Sequence, residues 1–147
     1  MPTFENAVTI QRPAEEVFAF LADFENIPMW NYAIEETRKA SAGPVGVGTR
    51  YRQTRSVPAR STESFEVTVF EPVSRLAIHG QIGPFLATIS YELEARAGAT
   101  RLVNHVELDP TQAMLRLAAP LATRGIKAAV AQNLGTLRLV LEGGQPA

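Results

Sequence analysis

The chain has 147 residues, 46% hydrophobic and 20% charged, and Lys+Arg 14 against Asp+Glu 15 leaves a net charge of −1. This is a globular composition, long enough to bury roughly 68–70% of the surface that the unfolded chain exposes, and without net basicity nucleic acid is not an expected partner. The count of 0 cysteines excludes disulfides, thiolate metal sites and a Cys nucleophile together.

The opening residues, Met1 to Asn6, lack a basic stretch followed by an apolar run, so no secretory leader is expected. No run of ~18 uncharged apolar residues occurs, so no transmembrane segment is expected either. A chain free of cysteine fits a cytoplasmic setting.

The first element reads as a strand over Thr3–Gln11, with Phe4, Asn6, Val8 and Ile10 on one parity. Pro13 then opens a short helix, a position where its missing N–H costs nothing, and Glu15 and Glu16 suit the positive end of the helix dipole. Val17, Phe18, Phe20, Leu21 and Phe24 supply the apolar stripe, and the helix ends near Asp23. A second short helix or turn covers residues 24–32, its length limited by Pro28. Phe20, Phe24, Trp30 and Tyr32 crowd this region in a chain that is only 7% aromatic, which marks a core corner or the wall of a binding site.

Six further strands follow. Ala33–Ala42 is charged and weakly patterned, as an edge strand would be, and a Gly/Pro turn over residues 43–48 leads into Thr49–Val57. Arg60–Glu71 alternates through Phe65, Val67 and Val69, and Arg75–Ile82 places Leu76, Ile78 and Ile82 on one face. After Gly83-Pro84, Phe85–Ala95 alternates through Phe85, Ala87, Ile89, Tyr91 and Leu93, and Thr100–Leu108 aligns Leu102, Asn104, Val106 and Leu108. Close spacing with short turns predicts an antiparallel meander. From Thr111, a candidate cap, to Gly143-Gly144 the pattern turns helical, with Leu115, Ala119, Ala122, Ile126, Val130, Asn133, Leu137 and Leu141 on one stripe. Pro120 predicts a kink or a break, hence a short first piece and a long helix over Leu121–Leu141. One strand, two short helices, six strands and a long helix make an α+β fold in which the helix covers one face of a curved sheet, leaving a cavity between them.

The sequence resembles the START-like, or SRPBCC, superfamily, which includes polyketide cyclase/dehydrase-like and lipid-transport proteins. The resemblance spans about Thr3 to Glu142. It rests on Val8-x-Ile10-x-x-Pro13-x-x-x-Val17-Phe18, Asp23, Pro28-x-Trp30, Gly46-x-Gly48-Thr49, Glu71-Pro72, Gly98-x-Thr100-Arg101 and Asn133-Leu134-x-x-Leu137-Arg138, taken in order. It implies one helix-grip domain over residues 1–147: a seven-stranded curved antiparallel sheet wrapped around the C-terminal helix, with two short helices after the first strand. It also implies a cavity whose lining differs from member to member, holding a lipid, polyketide, quinone or similar molecule. Fold-level likeness does not by itself assign an activity.

By parity, His79 and His105 face outward, away from the apolar sides of their strands. No His/Asp/Glu cluster has metal-ligand spacing, so neither metal nor cofactor is expected. The glycines of residues 43–49 have no Lys after them and precede a strand, which fits a turn and not a phosphate loop. Asn6, Tyr51, Gln53, Arg55, Glu63, Tyr91 and Asn104 by alternation, and Asn133 by the helical stripe, fall on the inner face. Gln53, Arg55 and Glu63 are balanced between solvated strand ends and buried pairs, whereas Tyr51, Tyr91, Asn104 and Asn133 are expected to orient a ligand. The expected apolar wall is Phe20, Phe24, Trp30, Phe65, Val67, Ile78, Phe85, Ile89, Leu117, Leu121 and Ile126. Three functions stand open on these residues: binding of a small hydrophobic ligand by a monomer or homodimer; a cyclase, aromatase or dehydratase in which Tyr91, Glu63 or Tyr51 moves protons; and a protein-interaction role without ligand.

Overall fold

A computed structural model describes residues 2–83, 85–110 and 113–143, with side chains described for all of these except 110 and 113–119. Strand β1 (Thr3–Ile10) leads through Pro13 into α1 (Ala14–Ala22) and a 3-10 helix over Phe24–Met29. Then come β2 (Ile34–Lys39), β3 (Arg50–Arg55), β4 (Ser61–Glu71), β5 (Arg75–Ile82), β6 (Phe85–Arg96), β7 (Ala99–Pro110) and α2 (Ala113–Leu141). The strands form one sheet in the order β1-β7-β6-β5-β4-β3-β2, and every neighbouring pair is antiparallel. This is the α+β helix-grip arrangement, with α2 packed against β1 and β7.

Local chemistry explains the elements. Pro13 stands just before α1 in extended conformation, one position earlier than the expected place inside the first turn, and Val17 N–H donates to its carbonyl. Ala14, Val17, Phe18 and Leu21 are buried at the spacing of one helical face. Pro28 sits inside the 3-10 helix, where short i→i+3 bonding tolerates it, and Trp30 N–H closes that turn on the Ile27 carbonyl. The glycine turn between β2 and β3 closes on itself: Gly46 N–H donates to Thr49 Oγ1 at 3.0 Å and Thr49 N–H donates back to the Gly46 carbonyl at 3.1 Å.

Two expectations are corrected. Beyond a register shift between Val67 and Val69, Phe70 and not Val69 packs on the inner face, because the extra residue turns β4 over. Pro120 does not divide the C-terminal helix; α2 runs unbroken from Ala113 to Leu141 with Pro120 inside it. A proline removes one i→i−4 donor, and the bonds on either side, with the packing of the helix face beyond, carry the helix through. Beyond Leu141, Gly143 takes a positive φ of 76° and donates to the Val140 carbonyl, as expected of a glycine stop. The expected Thr111 cap, the Pro84 position in its turn, Gly144, and the side chains of Leu115, Leu117 and Ala119 lie outside the described residues.

The inner face of the sheet buries two apolar clusters. The larger joins Val17, Leu21 and Phe24 to Tyr51, Phe65 and Leu102, and is sealed by Leu134 and Leu137 of α2. The smaller comprises Phe4, Phe85, Ala87, Val106 and Leu108, with Ala122 and Ile126 of α2 against it. Ile89 and Val130 touch both. Within the larger cluster Phe24 meets Tyr51 and Phe65 edge-on at 5.1 and 5.5 Å between ring centroids, while Tyr51 and Phe65 stack at 5.1 Å. These geometries add about 0.5–1.5 kcal/mol per pair beyond area burial.

β4 and β5 come close together at Gly80, which pairs with Phe65. A Cβ there would overlap the Ser64 carbonyl oxygen and stand 2.6 Å from Phe65 Cα. Gly80→Ala is therefore expected to cost about 2 kcal/mol or more in urea unfolding. The helical Gly125, whose Cβ would meet nothing within 4 Å, should become neutral to about 1 kcal/mol more stable as Ala. Equal stability of the two variants would contradict this account of the β4–β5 approach.

Candidate functional site

The pairing register builds a polar row across the inner face. Thr37 of β2 lies opposite Gln53 of β3, and Gln53 opposite Glu63 of β4. Thr37 Oγ1 donates to Gln53 Oε1 at 3.3 Å, and Gln53 Nε2 donates to Glu63 Oε1 at 2.8 Å. Arg55, two residues along β3, closes on the same carboxylate: Nη2 donates to Oε1 at 2.8 Å and Nε to Oε2 at 3.1 Å. Gly83 N–H adds a bond to Oε2 at 3.3 Å. The two side chains are 13% and 2% exposed, so this is a buried ion pair with every close partner satisfied. Of the two readings open for Gln53, Arg55 and Glu63, the structure takes the buried pair.

Beside this row lies a cavity of about 220 Å³ between the sheet and α2. It occupies the seam between the two apolar clusters, and the residues common to both, Ile89 and Val130, line it. Its sheet wall adds Tyr91, Asn104 and Val106, and its helix wall adds Gly125, Ile126, Ala129 and Asn133. The mouth is formed by the loop from Trp30 to Ala33 and by Val57 and Pro58. A side chamber of about 70 Å³ shares Trp30, Arg55, Ile89 and Tyr91 and reaches Phe65 and Ile78.

The mouth is held by hydrogen bonds. Tyr32 N–H donates to Asn133 Oδ1 at 3.4 Å, tying the first loop to α2. Ser56 N–H donates to the Ala33 carbonyl at 2.8 Å, tying the second loop to the first. Asn31 Oδ1 accepts from Ala33 N–H at 3.0 Å and fixes the bend between Trp30 and β2. At the rim, Tyr32 and Val57 are exposed apolar side chains.

The expected site residues divide cleanly by position. Trp30, Ile89, Tyr91, Asn104, Ile126 and Asn133 come together around the cavity. Phe65 and Ile78 line the side chamber. Phe24, Val67 and Phe85 are buried in the clusters away from the cavity, and Phe20 packs half-buried against the larger cluster. Tyr51 does not reach the cavity either, because its ring is stacked in the aromatic group of Phe24 and Phe65. Leu121 is 76% exposed, and it is the next residue, Ala122, about 100° further round the helix, that packs inward. The Leu117 side chain lies outside the described residues. Arg55 was legible only as an inner-parity residue, and the two mouth loops carry no periodicity that marks them.

Electrostatics set what these groups can do. Burial, with Asp23 and Glu25 adding smaller effects, pushes the Tyr51 phenol up to about 12. Burial alone raises Tyr91. Both are therefore neutral hydrogen-bonding groups near pH 7, not bases. Glu63 accepts from Gln53, Arg55 and Gly83, so its lone pairs are committed. His79 and His105 lie on the outer face as expected, against Thr88 Oγ1 at 2.9 Å and Glu5 Oε2 at 3.1 Å. Among the described residues no group of three His, Asp or Glu could hold a metal ion, and no helix is long and apolar enough to cross a membrane.

The family model for polyketide cyclase/dehydrase and lipid transport matches residues 1–142. Among solved structures, TTHA0849 from Thermus thermophilus superposes with a TM-score of 0.80 at 17% identity, over 99% of this chain and 100% of that one. The Zhui aromatase/cyclase from Streptomyces sp. R1128 gives 0.74 at 17% identity, over 97% and 92%. The di-domain aromatase/cyclase BexL of the BE-7585A biosynthetic pathway gives 0.65 at 18% identity, over 92% of this chain and 47% of that one. At these identities the likeness establishes the fold. No curated protein matches the chain significantly.

Two outcomes test the site's electrostatics. Glu63→Leu strands the Arg55 cation in a buried place and should cost about 3 kcal/mol, while Arg55→Leu/Glu63→Leu recovers most of it; a double variant no more stable than the single would refute the pairing account. The second concerns pH. An unfolded Tyr titrates near ~10, so a folded phenol raised to about 12 gives stability that is complete below pH 10 and lost as the pH rises toward 12. Tyr51→Phe should flatten that alkaline loss in denaturation followed by circular dichroism, and an unchanged profile would show that Tyr51 does not titrate late.

Proposed function

The chain belongs to the polyketide cyclase/dehydrase and lipid transport family, and from that premise we propose that it binds a small, compact, mainly apolar molecule in the cavity between the sheet and α2. The observation that carries this reading is the unfilled seam. The two apolar clusters meet along Ile89 and Val130, yet the helix positions facing the gap are Gly125 and Ala129, which are too small to close it. A dry apolar cavity of about 150 Å³ holds a benzene ring. Space of about 220 Å³, with a side chamber of about 70 Å³, suits a body of two fused rings better than an extended acyl chain. The wall is mainly apolar with a few polar groups, Tyr91, Asn104, Asn133 and Arg55, which is the usual composition of a small-molecule site.

A cyclase or dehydratase reading draws support from the family and from two aromatase/cyclase neighbours. The side chains favour it less. Tyr51 lies outside the cavity, Tyr91 stays protonated, and the Glu63 carboxylate is bound up with Arg55. A general base needs a free acceptor within reach of the substrate proton.

Native mass spectrometry of the purified chain, followed by solvent extraction, tests the binding reading. A co-purified apolar species of defined mass, absent from Gly125→Leu, is the expected result. Gly125→Leu places an isobutyl group at the cavity wall, in open space, so its fold should persist. No bound species, together with no thermal shift across lipids, quinones and polyketide-like phenols, would overturn it.

A further inference from the structure

Asn104 sits on β7, 1% exposed, opposite Asn6 of β1 and Tyr91 of β6. Its neighbours on the same face of β7, Leu102 and Val106, are buried apolar residues. Packing alone would put a third apolar side chain between them. The Asn104 amide has one fixed end: Nδ2 donates to the Ser90 carbonyl at 3.4 Å. Exchanging its O and N would set oxygen against oxygen there, so Ser90 dictates which way the amide points. Oδ1 is then left buried with no hydrogen-bond partner, the single side-chain atom in that condition among the described residues. Asn104 also lines the cavity, beside Ile89, Val106 and Ile126, which have no side-chain donor, and opposite Tyr91, whose hydroxyl makes no bond to Oδ1. The nearby Asn6 spends its amide on the Lys127 carbonyl at 3.2 Å.

We propose that Asn104 is a specificity-determining residue of the cavity, whose free Oδ1 selects ligands that present a hydrogen-bond donor, a hydroxyl on a compact ring body. This rests on the reading of the cavity as a binding site and adds the polarity of the group that meets Asn104. A hydroxyl supplies the missing donor. A methyl group of the same size leaves Oδ1 unpaired, and an ether oxygen opposes it lone pair to lone pair. Unpaired buried acceptors are rare in native proteins, and a residue that carries one in a cavity wall can have it completed by what the cavity holds.

The experiment uses the full chain at pH 7 with three probes: naphthalen-2-ol, 2-methylnaphthalene and 2-methoxynaphthalene, with affinities measured by fluorescence titration. The unsubstituted chain should bind the naphthol about tenfold more tightly than the methyl compound, the worth of one buried hydrogen bond, and the methoxy compound no more tightly than the methyl one. In Asn104→Leu the preference should fall to about one or reverse, with 2-methylnaphthalene still bound. If the unsubstituted chain binds all three probes equally, Oδ1 is served by water and the assignment to Asn104 fails, while the cavity reading stands. If none of the three binds, the cavity reading fails and takes this inference with it. The methoxy comparison needs no variant, so it decides the matter even where Asn104→Leu does not fold: a methoxy compound bound as tightly as the naphthol overturns the proposal.

Discussion

Leu134 and Leu137, at 2% and 0% exposure, seat the C-terminal half of α2 in the larger apolar cluster, and Ala122 and Ile126 seat its middle on the smaller one. Each fully buried Leu contributes about 1.5–3 kcal/mol, so this seating fixes the height and rotation of the helix over the sheet. Everything at the site depends on it. Once both seats are taken, the residues between them have no freedom to move inward. Ala129 falls between the seats and Gly125 just beside Ile126, and both are too small to fill the space that they line. The cavity is thus a consequence of where large and small residues fall on one helical stripe. The seating is tied down further at its far end, where Glu142 Oε2 accepts from Gln11 N–H at 2.7 Å.

The buried ion pair answers a different need. Arg55 and Glu63 give up hydration that their mutual attraction only partly restores, so their presence argues weakly for stability. Their geometry does more. Thr37, Gln53, Glu63 and Gly83 are linked across four successive segments of chain, which locks the pairing of β2, β3 and β4 and the turn after β5. The same network neutralises the Arg55 cation at the cavity wall. A ligand entering there meets a guanidinium already bonded to a carboxylate, and a charged ligand would have to compete with Glu63 for it. An uncharged guest is favoured on that ground alone.

Strand alternation carried most of the fold, because each strand has one face on the core, but it broke at the register shift between Val67 and Val69, beyond which Phe70 and not Val69 packs on the larger cluster. Parity also sent both histidines outward and placed Tyr91 and Asn104 inward, and the helical stripe did the same for Asn133. It failed where the outcome belongs to several elements at once. One strand cannot reveal that Gln53 and Glu63 stand opposite each other, so burial and solvation looked equal until the register was known. The aromatic crowding from Phe20 to Tyr32 marked the right neighbourhood but not the division within it. Phe24 goes to the core, Trp30 to the cavity wall, and Tyr32, 55% exposed, to the mouth. Pro120 was over-read because its local cost is conspicuous, while the packing that carries α2 past it lies tens of residues away in sequence.

The wall is divided by rigidity as well as by chemistry. Ile89, Tyr91, Asn104 and Val106 belong to adjacent central strands, β6 and β7, whose backbone groups are bonded on both sides. A polar atom carried there, such as Asn104 Oδ1, has a position set to within the play of one side chain that is itself held at Ser90. The mouth is made of short loops joined to each other by the N–H and hydroxyl of Ser56 on the Ala33 carbonyl, and to α2 by the Tyr32 N–H on Asn133. Such links open at far less cost than a strand pair. On the proposed binding reading, passage falls to the loops and discrimination to the sheet. The helix contributes volume: substitutions at Gly125 or Ala129 change how large a guest fits without disturbing the groups that recognise it. A frame arranged this way keeps its two apolar seats and its sheet register constant while the contents of the seam are free to differ.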